Sequence, residues 1–334
     1  PLMVLLIGIS NILIVYIGAQ MYINGVITEI GIIAQFILYI NMLTWPIASL
    51  GWVSTMIQEA ESSQKRINEF LNEAPSIQSN NEEIKVLNGK IEFNEVHFIY
   101  EDTKIHALNN ISFTINKGET VAFLGKTGSG KSTILQLISR MYDVSSGTIL
   151  IDDVNIKDWN VQNLRDQIAV VPQDAFLFSD TIKNNIRFGK EDASQEEIEH
   201  FAKIADVHKN IIRFDKGYET ILGERGITLS GGQKQRVSIA RALIKDAPAL
   251  LLDDCLSAVD TETEEQILNN LKDIADKKTT IIVTHRVSSA KNADKIIVLS
   301  EGTILEQGSH NQLINENGYY ANLYKKQLSE KNVK

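Results

Sequence analysis

Residues 125–132 read Gly-Lys-Thr-Gly-Ser-Gly-Lys-Ser. Gly125, Gly128 and Gly130 carry no side chain, so the backbone can approach a polyphosphate closely and point its N–H groups at it. A helix opening just after them adds its positive end. Lys131 supplies a cation for the β- and γ-phosphates, and the Ser132 hydroxyl can ligate Mg²⁺. Thr127, Ser129 and Thr133 fill out the stretch that would surround such a nucleotide. Further along, residues 250–254 form an apolar run that ends on two carboxylates. Asp253 is placed there to hold the Mg²⁺ shell, and Asp254 stands where a general base or water-orienting group is wanted.

This chemistry requires a strand, a loop and a helix in succession, and the pattern supplies them. Residues 120–124 are a short apolar run, and residues 132–141 read as helix. Apolar runs at 169–171, 249–252, 280–283 and 296–299 have the length of buried strands and alternate with helical stretches. That alternation predicts a largely parallel sheet covered by helices. Ile91, Phe93, Val96 and Phe98 predict an early antiparallel strand, followed by another at 111–115. Between 180 and 227 strand patterns vanish, which predicts a helical insert.

The first 58 residues belong to a different solvent. Their only charge is Glu29, while all 33 lysines and arginines and 41 of the 42 acids come later. About 20 apolar residues cross a bilayer, so residues 1–27 and 31–58 are read as two transmembrane helices, the second continuing as a charged helix to 71. A signal peptide fits badly, since there is no basic leading region and no single short apolar core. Pro46 predicts a kink. Gln35, Asn41 and Thr44 either line a pathway or hydrogen-bond between helices. The link around Asn24, Gly25 and Glu29 has no lysine or arginine, and the first basic residues are Lys65 and Arg66. The positive-inside rule therefore puts the link outside and the large polar part in the cytoplasm, in a multi-pass cell-membrane protein. A lone cysteine, Cys255, offers no disulfide framework, and a net charge of −9 argues against a nucleic-acid surface. The chain opens on Pro1 within an apolar run, without an initiator methionine, and is read as the C-terminal part of a longer membrane protein.

A further set of residues stands in a telling order: Tyr100 before the glycine loop, Gln173, Leu-Ser-Gly-Gly-Gln at 229–233, Asp253 and Asp254, Ser-Ala-Val-Asp at 257–260, and His285. In this the chain resembles the ABC transporter family, and the Gly-Glu-Arg-Gly run at 223–226 is similar to a loop of its exporters. The resemblance implies a fold: two transmembrane helices (1–73), a linker (74–90) and an α/β P-loop NTPase cassette (91–328). That cassette would have a RecA-like core, an antiparallel β subdomain and a helical subdomain at about 175–245, with a tail at 329–334.

The resemblance also implies roles. Tyr100 would stack on the adenine of ATP, Gln173 would touch Mg²⁺ and the attacking water, and His285 would contact the γ-phosphate. Ser230, Gly231, Gly232 and Gln233, with Asp260, would serve an ATP held by a second cassette paired head to tail. The implied activity is ATP hydrolysis driving export of a hydrophobic, drug-like, lipid-like or peptide substrate. A soluble cassette of DNA repair shares these motifs, but the apolar first 58 residues argue against it.

One residue departs from the family pattern. Asp254 stands where glutamate is usual. The two acids have similar pKa values, so the difference lies in reach. A carboxylate withdrawn by about 1 Å can cost on the order of a hundredfold in rate. The resemblance then implies a heterodimer with a glutamate-bearing partner half-transporter. The alternatives are a homodimer in which aspartate suffices, or a regulatory module that binds ATP and scarcely hydrolyses it.

Overall fold

The computed structural model describes residues 2–79, 81–224, 229–275 and 278–332. It divides into two compact units, Pro1–Ser76 and Ile77–Lys334.

The first unit is a helix pair, α1 (Leu2–Ile23) and α2 (Gly31–Leu71). Both are long and apolar enough to cross a membrane. At 1.5 Å per residue the 41-residue α2 is about 60 Å long, roughly twice the hydrocarbon thickness of a bilayer. It passes through Pro46 as one helix. Asn41 and Thr44, read as lining a pathway or bonding between helices, make hydrogen bonds within α2. Asn41 Nδ2 donates to Ile37 O (2.9 Å) and Thr44 Oγ1 to Ile40 O (3.0 Å). Short polar side chains reach the carbonyl one turn back, which satisfies them without a neighbour.

The second unit begins with β1 (Ile91–Ile99), β2 (His106–Ile115), β3 (Thr120–Gly125) and α3 (Lys131–Ile138). Then come β4 (Ser146–Ile151), β5 (Val154–Asn155), α4 (Val161–Asp166) and β6 (Ile168–Val171). The helical insert holds α5 (Ile182–Arg187), α6 (Gln195–Ile204), α7 (His208–Ile211) and α8 (Gly231–Ile244). The chain returns through β7 (Ala249–Asp253), α9 (Thr261–Ala275), β8 (Thr279–Thr284) and α10 (Val287–Ala290). It closes with β9 (Lys295–Ser300), β10 (Thr303–Gly308), α11 (His310–Asn315) and α12 (Tyr319–Asn332).

Six strands form one sheet in the order β10-β9-β3-β8-β7-β6, parallel except for β10. Four form an antiparallel sheet in the order β2-β1-β4-β5. Strand β3 explains the layering. Alternate side chains leave opposite faces of a strand. Val121 and Phe123 join the core shared with α3 and the antiparallel sheet, while Ala122 and Leu124 join the core shared with the helical insert. All four are fully buried, as a strand covered on both sides requires. Burying a side chain such as Phe123 is worth roughly 1.5–3 kcal/mol.

Before β1, Lys85 N–H donates to Asn163 Oδ1 (3.0 Å) and Leu87 N–H to Gln167 Oε1 (2.8 Å), so this part of the expected linker is fastened to the cassette. At the other end α12 runs on to Asn332, through residues expected as a tail. Arg225 and Gly226 of the exporter-like run lie outside the described residues.

Candidate active site

Three parallel strands, β3, β7 and β8, deliver the site from their C-terminal ends. β3 ends at Gly125 and feeds the glycine loop into α3. Gly130 is the residue that fixes the entry to α3. Its φ is +96°, and a Cβ there would come within 2.6 Å of Ala107 O and 2.7 Å of Leu108 Cδ2. It caps α3 without a side chain, so the first N–H groups of the helix stay available to an anion.

Lys131 is buried with its ammonium inside the loop. It donates to Gly125 O (2.9 Å), Lys126 O (2.8 Å) and Ser129 Oγ (3.4 Å). Burial lowers its pKa, opposed by the nearby carboxylates of Asp254 and Asp253. Ser132 Oγ donates to Asp253 Oδ1 (2.8 Å), bringing together residues 121 apart in sequence. Burial raises the Asp253 pKa, and the Ser132 hydrogen bond opposes the shift. Among the described residues no three His, Cys, Asp or Glu side chains gather to hold a metal. One hydroxyl beside one carboxylate is nonetheless what Mg²⁺ takes from a protein when phosphate and water supply its other ligands.

Asp254 follows directly in a left-handed conformation (φ +43°), and its N–H donates to Val283 O (2.8 Å). Its carboxylate oxygens lie 3.0 and 3.1 Å from His285 Nδ1, just past the end of β8. The strand register sets this meeting, because Asp253 pairs with Val283. Cys255 is fully buried, and burial holds its thiol protonated.

Tyr100 sits against α3. Its hydroxyl donates to Gln136 Oε1 (2.8 Å) and lies 3.0 Å from Thr133 Oγ1, while its ring meets Phe98 and Tyr142 edge-on. Thr133 is thus buried under Tyr100, whereas Thr127 is exposed on the loop and Ser129 is buried within it. Gln173 is exposed in the loop after β6.

The 229–233 motif is elsewhere on the cassette. Leu229 is buried in the core, and Ser230 and Gln233 form a capping box at the start of α8. Gln233 N–H donates to Ser230 Oγ (3.3 Å) and Ser230 N–H to Gln233 Oε1 (3.0 Å). Ser230 keeps its own hydroxyl hydrogen for another acceptor. Arg241, near the other end of α8, lines an 840 Å³ cavity together with Ser132 and Asp253. Ten residues of helix, about 15 Å, separate Arg241 from Gly231. Asp260 caps α9, its Oδ1 accepting from Thr263 N–H (2.9 Å), and that bond lowers its pKa.

Three side chains that tie these parts together escape sequence reasoning. Arg286 donates to Ser257 O (2.8 Å), Val259 O (3.3 Å) and Glu264 Oε2 (2.7 Å), and Glu264 is almost wholly buried. Gln235 is buried on α8 among apolar neighbours. The one signal available for it was its place on the core-facing side of α8, in line with Ile239 and Ala242.

Residues 108–257 match the family model described as ABC transporter. The multidrug resistance-like ATP-binding protein MdlA of Escherichia coli (strain K12) is 41% identical over 330 residues, 99% of this chain and 56% of that protein. The ATP-dependent lipid A-core flippase of Syntrophus aciditrophicus (strain SB) is 39% identical over 335 residues, 100% of this chain and 55% of that protein. The chain therefore spans about half the length of the curated relatives it matches. Among solved structures, that of a bacterial Atm1-family ABC exporter with ATP bound superposes with a TM-score of 0.79 at 37% identity. It covers 90% of this chain and 52% of the exporter chain.

Proposed function

We propose that the chain, whose residues 108–257 match the ABC transporter family model, forms part of an exporter half that hydrolyses ATP between two paired cassettes. The observation that supports this reading is the separation of two helix N-termini within one chain, that of α3 after the glycine loop and that of α8 after Ser230. Lys131, Ser132 and Asp253 converge at the glycine loop, while the capped N-terminus of α8 lies at the far end of a helix whose other end lines the cavity beside them. The α8 end needs a phosphate brought by another cassette.

In this reading Tyr100 stacks on adenine, and the loop N–H groups from Gly125 through Gly130, Thr127 and Ser129 included, surround the phosphates, with Thr133 behind them. Lys131 leaves the loop carbonyls for the β- and γ-phosphates. Ser132, Asp253 and Gln173 hold Mg²⁺, which when bound neutralises charge on the phosphates. Asp254 orients or deprotonates the attacking water, and His285, within hydrogen-bonding distance of that carboxylate, holds Asp254 in place and faces the γ-phosphate. Ser230, Gly231, Gly232 and Gln233 offer a hydroxyl and helix N–H groups to the partner's γ-phosphate, with Asp260 beside them. The helix pair lies in the cell membrane, the cassette lies in the cytoplasm, and the cargo is a small molecule, lipid or peptide. The name of one relative, a lipid A-core flippase, supports the lipid-like class. The test is Mg-ATP turnover by the full chain reconstituted in lipid, with Lys131→Ala as the blank. Turnover no higher than the blank in every assembly, despite ATP binding, overturns the reading.

Asp254 favours a specific assembly, a heterodimer in which this chain's own site is slow and its signature completes the partner's site. Asp254→Glu in the assembled pair raises turnover at that site by about a hundredfold, because it restores about 1 Å of reach. Unchanged single-site turnover leaves the homodimer as the better reading.

A further inference from the structure

One buried side chain joins the two ends of the site. Gln235 lies on α8, two residues past the signature, and is 6% exposed. Its Nε2 donates to Gln173 O (3.3 Å), and its Oε1 accepts from Ala258 N–H (3.2 Å). A primary amide is suited to this position because it presents a donor and an acceptor together. The contact with the 257–260 loop continues at the helix tip, where a Cβ on Gly232 would lie 3.0 Å from Ala258 O, so a larger residue would push the signature and that loop apart by a few tenths of an ångström. Arg286 holds the same loop from its other side, through Ser257 O and Val259 O.

We infer that Gln235 is a positioning residue that makes the signature helix, the 257–260 loop and the Gln173 loop move as one body. The inference rests on the ATPase reading for its consequence and on the hydrogen bonds for its existence. The signature and Asp260 face the partner's nucleotide, whereas Gln173 faces the chain's own. A single amide therefore passes a displacement at one nucleotide to the other without touching either. A glutamate at 235 keeps an oxygen for Ala258 N–H but has no donor for Gln173 O, and a leucine keeps neither bond.

Amide hydrogen exchange on the full chain in lipid tests the bridge directly. In Gln235→Leu the segments around 173 and 257–260 exchange about tenfold faster, the equivalent of one net hydrogen bond, while residues 125–132 keep their rate. In Gln235→Glu the 257–260 segment stays protected and only the segment around 173 loosens. If Gln235→Leu fails to fold, Gln235→Glu decides alone. Unchanged exchange at both segments, or uniform acceleration across the cassette, overturns the inference. In kinetics, kcat of Gln235→Leu falls by about tenfold while KM for Mg-ATP stays within about twofold, and equal losses in both parameters count against it. If no assembly of the unmodified chain shows turnover above the Lys131→Ala blank, the ATPase reading falls and the exchange arm still judges Gln235.

Discussion

Helices α6 and α8 open with the same device but on differently charged first turns. Each starts with a serine whose hydroxyl accepts from the third helical N–H, while the side chain of that third residue accepts from the serine N–H. The geometry is nearly the same: 3.2 and 2.8 Å at Ser194 and Glu197, 3.3 and 3.0 Å at Ser230 and Gln233. The first turns differ. α6 carries Glu196 and Glu197, which place negative charge on its positive end, whereas α8 has Gly231, Gly232 and the neutral Gln233. A helix with acids in its first turn supplies its own counter-charge, and one without them leaves that end open to an outside anion. The uncharged first turn of α8 leaves room for a phosphate, but α11 opens with the same box at Ser309 and Gln312 and has no first-turn acid either, so the phosphate role of 229–233 rests on the proposed pairing of two cassettes.

Giving α8 the acid of α6 breaks the comparison most sharply. Gly231 has room for a side chain, since a Cβ there would meet only Ala258 Cβ, at 3.8 Å. Gly231→Glu places a carboxylate where the partner's γ-phosphate would sit. Turnover of the assembled cassettes falls by about a thousandfold, the upper range for losing an electrostatic contact to a transferring group. Equilibrium unfolding shows stability held or slightly raised by the dipole, and ATP binding to the chain's own loop is unaffected. A variant that keeps half its turnover would show that α8 meets no phosphate.

Ser230→Ala removes less. It deletes the hydroxyl but keeps the glycines and the uncharged first turn, so turnover falls by about a hundredfold, the effect of one lost donor. Its stability falls by about 1 kcal/mol with the cap. Steady-state turnover and chemical denaturation on the same preparation separate the two effects.

The parts of the site that were legible in the sequence are those made by near neighbours. The glycine loop is eight residues, and the box at 230–233 closes over three; both are readable because chain spacing alone sets the geometry. The strands β3, β7 and β8 were legible for a related reason, since strands buried on both faces carry continuous apolar runs, as at 121–124, 249–252 and 281–283. Strands β4, β5 and β10 were not. β10 alternates half-buried and exposed residues at a sheet edge, and β5 is only two residues long, so neither has an apolar run to betray it. The contacts of Gln235, Arg286 and Glu264 were out of reach as well. Arg286 meets loop residues 27 and 29 positions away, and Gln235 meets Gln173 across 62. Only the folded sheet and insert bring these groups together, and no spacing rule along the chain encodes it. Even the Asp254–His285 pairing, between two residues named in advance, depends on the register of β7 against β8.

The smallest effect is the control that gives the others meaning. Ser194→Ala removes the cap of α6, including the hydroxyl that accepts from Glu197 N–H, and costs about 1 kcal/mol in denaturant unfolding. Mg-ATP turnover in the assembled pair stays at its unmodified value, since α6 already holds its counter-charge in Glu196 and Glu197. Equal stability losses in Ser194→Ala and Ser230→Ala, with turnover lost only in the second, would separate the signature serine's work on phosphate from its work as a cap. If turnover fell alike in both, the loss would trace to the loosened insert that α6 and α8 share, and the open N-terminus of α8 would no longer explain the chemistry.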